Sequence, residues 1–496
     1  MILTSTSLII RGIGILFRIY LAARIGAQGM GLYQMVISLF TLAGAAGSGL
    51  PTTVTGQLSA MPNDRSRLRP LFFGVALSAL ALGLSALTFF TLAPQISTHL
   101  LSDARTALSL RILTLCLPFM GMSMCIKGYF IAQNKTGTPS SAQLFEQLVR
   151  IAVIVAALKL LGDAGLEKLC ATVILGDSAA EVASFFFMLT ALYLDARRRP
   201  RSSGAKYSRR EMLQTSLPVT GSRYLTTALR AAENIIIPIC LAAYSDSSQE
   251  AIARFGMLKG MAIPLLFFPA SFLGALSTLL LPEVARNYRT GNLSGVRTCV
   301  GGAMRTTLFA AMPIMGVFLT FGREISRLIY QSEGVGLIVV TLAPIVPFMY
   351  LECVCDGILK GLTQQGHSLL YNVIDSVLRL AAIWLLVPRY GLEGFLGIMI
   401  FSNILTSSLN IHRLLAVSQL RLPLGRFVFL PLGLTAAACA VGRLIAHGCT
   451  GVPYGFFLGI GATAAVYLAG SAILRQGESE AGHSNRSQRQ NACRHC

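Results

Sequence analysis

Charge is scarce in this chain. Asp, Glu, Lys and Arg make up 12% of its 496 residues, about half the share of a soluble domain. Acids are scarcer than bases, 21 against 41, and tryptophan occurs once. Polar stretches are too short for a sizeable soluble domain. No G-x-x-x-x-G-K-[ST] phosphate loop is present, so ATP hydrolysis within the chain is not expected. No His–Glu metal motif or nucleophile elbow occurs, the six histidines are scattered, and no enzyme activity is expected. The eleven cysteines form no spaced framework and most lie in apolar stretches, where they read as buried, reduced thiols. Cys493, His495 and Cys496 carry metal-capable atoms, but no second cluster completes a site, so no metal is expected. The C-a-a-X spacing there is poor, because Arg494 and His495 are not aliphatic. The start lacks a basic n-region and a small-residue cleavage site, and the first span reads as an uncleaved anchor.

Apolar sequence fills the space that charge leaves. Hydrophobic residues make up 54% of the chain, and mean hydropathy is +0.64. Stretches of about 20 apolar residues mark membrane-crossing helices. Fourteen are expected, near 2–22, 31–60, 71–93, 107–132, 141–162, 168–194, 213–243, 252–282, 298–320, 335–361, 367–388, 394–412, 427–447 and 452–474. The fold class is therefore all-α and polytopic. The net charge of +20 could suggest nucleic acid, but its placement does not. Lys and Arg concentrate in alternate loops, among them Arg65, Arg67, Arg69, Lys135, the 197–210 cluster, Arg286, Arg289, Arg297 and the tail. The opposite loops hold few, such as Arg24, Arg105, Lys168, Arg323, Arg327 and Arg389. By the positive-inside rule this predicts a multi-pass protein of the cell membrane with both termini cytoplasmic. Membrane lipids are expected partners, and nucleic acid is not.

The longest polar connection before the tail, 195–212, divides the chain. It predicts an N-terminal lobe of six helices (1–194), a basic cytoplasmic linker (195–212) and a C-terminal lobe of six helices (213–417). Two further helices (418–474) and a disordered cytoplasmic tail (475–496) follow. The halves carry matching marks. Glu146 precedes Arg150 by four residues, and Asp375 precedes Arg379 by four, 229 residues further on. Acid then base at this spacing share one helix face. Leu50-Pro51 recurs as Leu281-Pro282, Lys127-Gly128 as Lys360-Gly361, and Arg11 and Arg18 as Arg223 and Arg230. Six helices between equivalents predict a parallel repeat, a construction typical of transporters. A charge at mid-membrane costs roughly 2.5–3.5 kcal/mol even on lenient scales, so such residues face protein or water.

The segments GIGILFRIYLAARIGAQGMGLYQM, KGYFIAQNKTGTPSSAQLFEQLVR, FGMLKGMAIPLLFFPASFLGALSTLLLPEVAR and LAPIVPFMYLECVCDGILKGLTQQG carry a resemblance. In order and spacing the chain resembles the stage V sporulation protein B-like branch of the multidrug/oligosaccharidyl-lipid/polysaccharide (MOP) exporter superfamily, from span 1 to about span 12. The resemblance implies two six-helix lobes in a V around a central cavity. It implies a flippase that moves undecaprenyl-pyrophosphate-linked saccharide or peptidoglycan precursor from inner to outer leaflet by alternating access, with a link to spore cortex or cell-wall synthesis. A cation-coupled multidrug exporter on the same scaffold is the alternative, and a non-transporting scaffold for cell-wall enzymes a third reading. Cell-wall synthesis enzymes would be protein partners, and a monomer is expected.

A pyrophosphate substrate calls for cations, because Arg forks bind phosphate oxygens at two points. Arg18 and Arg230 are the leading candidates, with Arg11, Arg223 and Lys259 beside them. Snorkelling to the interface is the alternative role for the arginines. Lys259 has no acid within a turn, and Glu233 is expected to neutralise Arg230. Glu146–Arg150 and Asp375–Arg379 read either as structural ion pairs or as gating pairs. Glu352 with Asp356, and Asp177 with Glu181, are i,i+4 acids. Like charges raise the chance that one acid is protonated or holds a cation, which makes them candidate coupling sites for Na+ or H+. The competing role is pairing with bases on neighbouring helices. No cofactor is expected.

Overall fold

In a bilayer every backbone amide must be satisfied within its own segment, so long apolar stretches fold as helices. The computed structural model describes residues 2–62, 64–162, 165–200, 207–245, 247–420, 425–448 and 455–473, and among them no strand occurs. The helices are α1 (Ile2–Ala45), α2 (Gly49–Ser59), α3 (Leu68–Gln95), α4 (Thr106–Thr114), α5 (Leu117–Ile131), α6 (Gly137–Leu161), α7 (Leu166–Arg197), α8 (Arg209–Ser245) and α9 (Ser248–Phe255). They continue as α10 (Ile263–Phe267), α11 (Ala270–Arg289), α12 (Leu293–Tyr330), α13 (Glu333–Leu342), α14 (Val346–Gly361), α15 (Gln365–Ser418), α16 (Leu430–Gly448) and α17 (Phe456–Ile473). Among the described residues the expected spans fall largely on helical sequence, which does not by itself count the crossings. The all-α polytopic class holds, and eight of these helices are long and apolar enough to cross a membrane, or ten if two bent pairs each count as one. Cys493 and Cys496, and the tail expected to be disordered, lie outside the described residues, as do 201–206 of the expected linker.

Packing divides the chain into two compact units. The first comprises residues up to Phe268 together with Asn372–Met399; the second comprises Pro269–Tyr371 and the residues from Ile400 onward. Within the first unit, α1 meets α9 and the π-helical turn that follows it (Gly256–Ala262) at backbone contact. A Cβ at Gly256 would stand 1.9 Å from the Ala27 carbonyl oxygen, and one at Gly31 would stand 2.2 Å from that of Ile252. Neither neighbour is a side chain that can swing away. We expect Gly256→Val to cost at least about 1–3 kcal/mol, the usual scale of overpacking, and to lower folded yield on size-exclusion chromatography. A wild-type yield would show that the crossing relaxes.

The repeat is written into the backbone joints at a constant spacing of 229 residues. Ser102 and Gln331 both have positive φ (55° and 51°), as do Asn134 and Thr363 (58° each). Asn134 N–H donates to the Ile131 carbonyl, and Thr363 N–H to that of Lys360. Lys135 N–H donates to the Phe130 carbonyl, and Gln364 N–H to that of Leu359. Gly162 (φ 58°, ψ −136°) and Gly391 (φ 58°, ψ −139°) break the chain after the two acid–base helices in one conformation, which L side chains rarely adopt. This spacing corrects one expected equivalence. It sets Lys127 opposite Asp356, and Lys360 opposite Ile131, so the two Lys-Gly pairs are not counterparts.

Candidate functional site

Three helices of the first unit bring polar groups to one cavity of about 320 Å³. Before its break at Gly26, α1 supplies Arg18; after it, α1 supplies Tyr33. Gln147 and Arg150 come from α6, and Asp177 and Glu181 from one face of α7. Arg150 is the hub. Its Nε lies 2.9 Å from Asp177 Oδ1 and its Nη2 lies 3.2 Å from Glu146 Oε1, while Nη1 donates to Gln147 Oε1 at 2.8 Å. Lys127 reaches the other oxygen of Glu146 at 3.2 Å, and the Tyr33 hydroxyl donates to Asp177 Oδ2 at 3.0 Å. Asp177 therefore pairs with a base on a neighbouring helix. Glu181, one turn further along α7, makes no hydrogen bond or ion pair among the described residues. Arg18 stands on the wall with no direct ion pair among them.

Arg18, Lys127 and Arg150 balance Glu146, Asp177 and Glu181 in formal charge. The cavity is thus polar and charge-compensated rather than uniformly cationic. Near a low-dielectric interior, opposite charges in equal number lower the cost of keeping several ionised groups inside a bundle.

A second network in the same unit centres on Glu233 of α8, whose side chain is only 7% exposed. Lys259 Nζ lies 2.8 Å from its Oε1, and Arg379 Nη1 lies 3.5 Å from its Oε2. Arg379 also pairs with Asp375 one turn back on α15, and Lys259 stands 5.9 Å from the Phe395 ring. Two expectations are corrected here. Lys259 is not a free cation, because its acid lies 26 residues upstream on another helix and the π-helical turn presents the lysine to it. Glu233 does not pair with Arg230, because Glu233 turns into the bundle while Arg230 is exposed.

The remaining candidates are dispersed. Arg11 and Arg223 are exposed like Arg230, and Arg223 donates to the Ser48 carbonyl at 2.7 Å. In the second unit Asp356 pairs with Lys360 at 2.6 Å, a base on its own helix, and accepts from the Ser368 hydroxyl at 2.8 Å. Glu352 accepts from Ser407 at 3.5 Å. Both i,i+4 ion pairs formed as the spacing requires. Sequence reasoning missed Tyr33, Gln147 and every cross-helix partner, which no helical periodicity encodes.

A family model described as polysaccharide biosynthesis protein matches residues 1–286, more than half of the chain. The chain belongs to that family. Stage V sporulation protein B of Bacillus subtilis (strain 168) is 25% identical over 407 residues, 80% of this chain and 78% of that protein. Among solved structures, the lipid II flippase MurJ in an inward closed conformation superposes with a TM-score of 0.73 at 13% identity, covering 96% of this chain and 99% of that one. An inward-facing multidrug resistance MATE family transporter of the MOP superfamily gives 0.65 at 14% identity, covering 82% and 96%. The likeness at these identities is one of fold. The polysaccharide biosynthesis match includes the whole Arg150 cavity together with Glu233 and Lys259; Asp375 and Arg379 lie beyond it.

Proposed function

We propose that this polysaccharide biosynthesis family member is a flippase. It carries undecaprenyl-pyrophosphate-linked saccharide, or a peptidoglycan precursor of that kind, from the inner to the outer leaflet of the cell membrane. The reading retains two repeat-related lobes, cytoplasmic termini and alternating access, and it places the activity in cell-wall or spore-cortex synthesis. One observation carries it: a cavity among apolar helices holds an arginine, Arg18, with no ion pair among the described residues. A guanidinium left uncommitted inside a bundle is matched to an anionic group that arrives and leaves. About 320 Å³ lies at the lower end of small-molecule sites and accommodates a headgroup portion, while a polyprenyl tail stays in lipid. Asp177 and Glu181 face the same cavity, so Na+ or H+ taken up there would compete with or accompany the substrate.

Transport of a pyrophosphate-linked lipid saccharide across liposomes tests the proposal. The wild-type protein is expected to move it. Arg18→Ala is expected to fold normally and to lose about ten- to over a hundredfold in substrate affinity, the weight of a charged hydrogen bond. Arg18→Lys should recover only part, since it restores charge without the fork. Unchanged binding and transport in Arg18→Ala would remove this residue from the substrate site. Transport of a cationic drug but not of the lipid would replace the flippase reading by that of a multidrug exporter.

A further inference from the structure

A second cavity, of about 440 Å³, opens at the C-terminal end of α7 beside the turn between α5 and α6. It lies apart from the groups assigned to transport. Lys135, Arg198 and Arg199 line it together with a single acid, Asp195, so its walls carry a formal excess of two positive charges. Asp195 is already committed. It accepts from the buried Tyr129 hydroxyl at 2.8 Å and pairs with Lys135 and with Arg199. Arg199 also donates to the Gln133 side-chain oxygen, and it is itself buried. Arg198 is different: it is exposed, and its guanidinium makes no hydrogen bond or ion pair among the described residues.

The neighbours of this cavity add to its chemistry. Phe130, Ala191 and Leu194 give its apolar wall. Tyr193, one residue before Leu194, is exposed with the Arg197 guanidinium 4.3 Å from its ring centroid. An amphipathic aromatic under a cation is the marker of the headgroup layer. Pro200 of the lining is held from outside the cavity, where its carbonyl accepts from the Arg65 N–H. A cavity lined by both cationic and apolar side chains suits the two ends of one lipid molecule.

We propose that this cavity is a binding site for the phosphodiester headgroup of an anionic phospholipid, resident at the basic end of the first unit and distinct from the transported substrate. Arg198 supplies the unneutralised charge, with Lys135 beside it. The Tyr129–Asp195–Arg199–Gln133 chain holds the floor in shape.

Native mass spectrometry of the purified full-length protein, titrated with phosphatidylglycerol or with phosphatidylcholine, tests this. One Lys or Arg near an anionic surface is worth about a fivefold preference. Wild type is expected to retain phosphatidylglycerol over phosphatidylcholine by at least that factor. Arg198→Glu should abolish the preference, Arg198→Gln should reduce it about fivefold, and the exposed control Arg210→Glu should leave it intact. The glutamine variant, which adds no like charge beside Lys135 and Arg199, keeps the test decisive if the glutamate variant folds poorly. Equal retention of the two lipids by wild type, or equal loss in Arg198→Gln and Arg210→Glu, would overturn the assignment. Millimolar inorganic phosphate that displaces phosphatidylglycerol completely would show a free-anion site and would also overturn it.

Discussion

Glu233→Gln is expected to be the most damaging single change in the ionic framework. It leaves Lys259 and Arg379 facing an amide in place of the carboxylate they share. Breaking a buried pair by removing one partner costs about 3–5 kcal/mol, because the other charge stays buried and uncompensated. Folded yield in detergent should fall sharply. Lys259→Met added to Glu233→Gln should recover much of it, since Arg379 still has Asp375. Yield by fluorescence-detected size-exclusion chromatography decides the matter. A single variant that folds like wild type yet no longer transports would mean that this network works in the conformational cycle and not in holding the fold.

Arg150→Met should approach the same magnitude from the opposite sign. It strands Asp177, whose other polar contact is the Tyr33 hydroxyl, and it leaves Glu146 with Lys127 alone. A loss of about 3–5 kcal/mol is again expected for removal of the shared partner. Arg150→Lys should help little, because one ammonium cannot satisfy Asp177, Glu146 and Gln147 from three directions as a planar fork does. Adding Asp177→Asn to Arg150→Met should restore much of the yield, because of the two acids that Arg150 held only Glu146 then stays charged, and Lys127 still holds it. If the double variant folds no better than the single one, the loss comes from packing of the arginine stem and the electrostatic account fails. The two networks share no residue, and additive effects in combined variants would show that they are uncoupled.

The parts of this molecule that sequence reveals are those set by local geometry. A helix places residues four apart on one face whatever surrounds it, so Glu146–Arg150 and Asp375–Arg379 were legible before any packing was known. Apolar length likewise revealed where the helices lie. What escaped depends on which helix lies beside which. Lys259 has no acid within a turn in sequence, and its partner Glu233 is reached only because a π-helical turn presents it to α8. The Lys-Gly coincidence misled for the complementary reason. It compares residue types, whereas the positive-φ joints at Asn134 and Thr363 fix the true correspondence. Of the five cations proposed for substrate, Arg18 reaches the cavity and Lys259 is consumed in an ion pair. Arg11, Arg223 and Arg230 remain exposed, a distinction that residue type and spacing do not contain.

The joints at 102 and 331, 134 and 363, and 162 and 391 also bear on how such a chain can change over time. Their backbone conformations agree, yet side chains at the same spacing do not. Where one copy has Lys127 the other has Asp356, and where one has Asp177 and Glu181 the other has Thr406 and Asn410. A duplicated framework that keeps its hinges while exchanging charged for neutral cargo is free to give one copy the ionic work and the other the mechanical support. Equivalent helices of a parallel repeat keep the same direction, so this inequality sets no sense of movement; it decides which copy holds the buried charges.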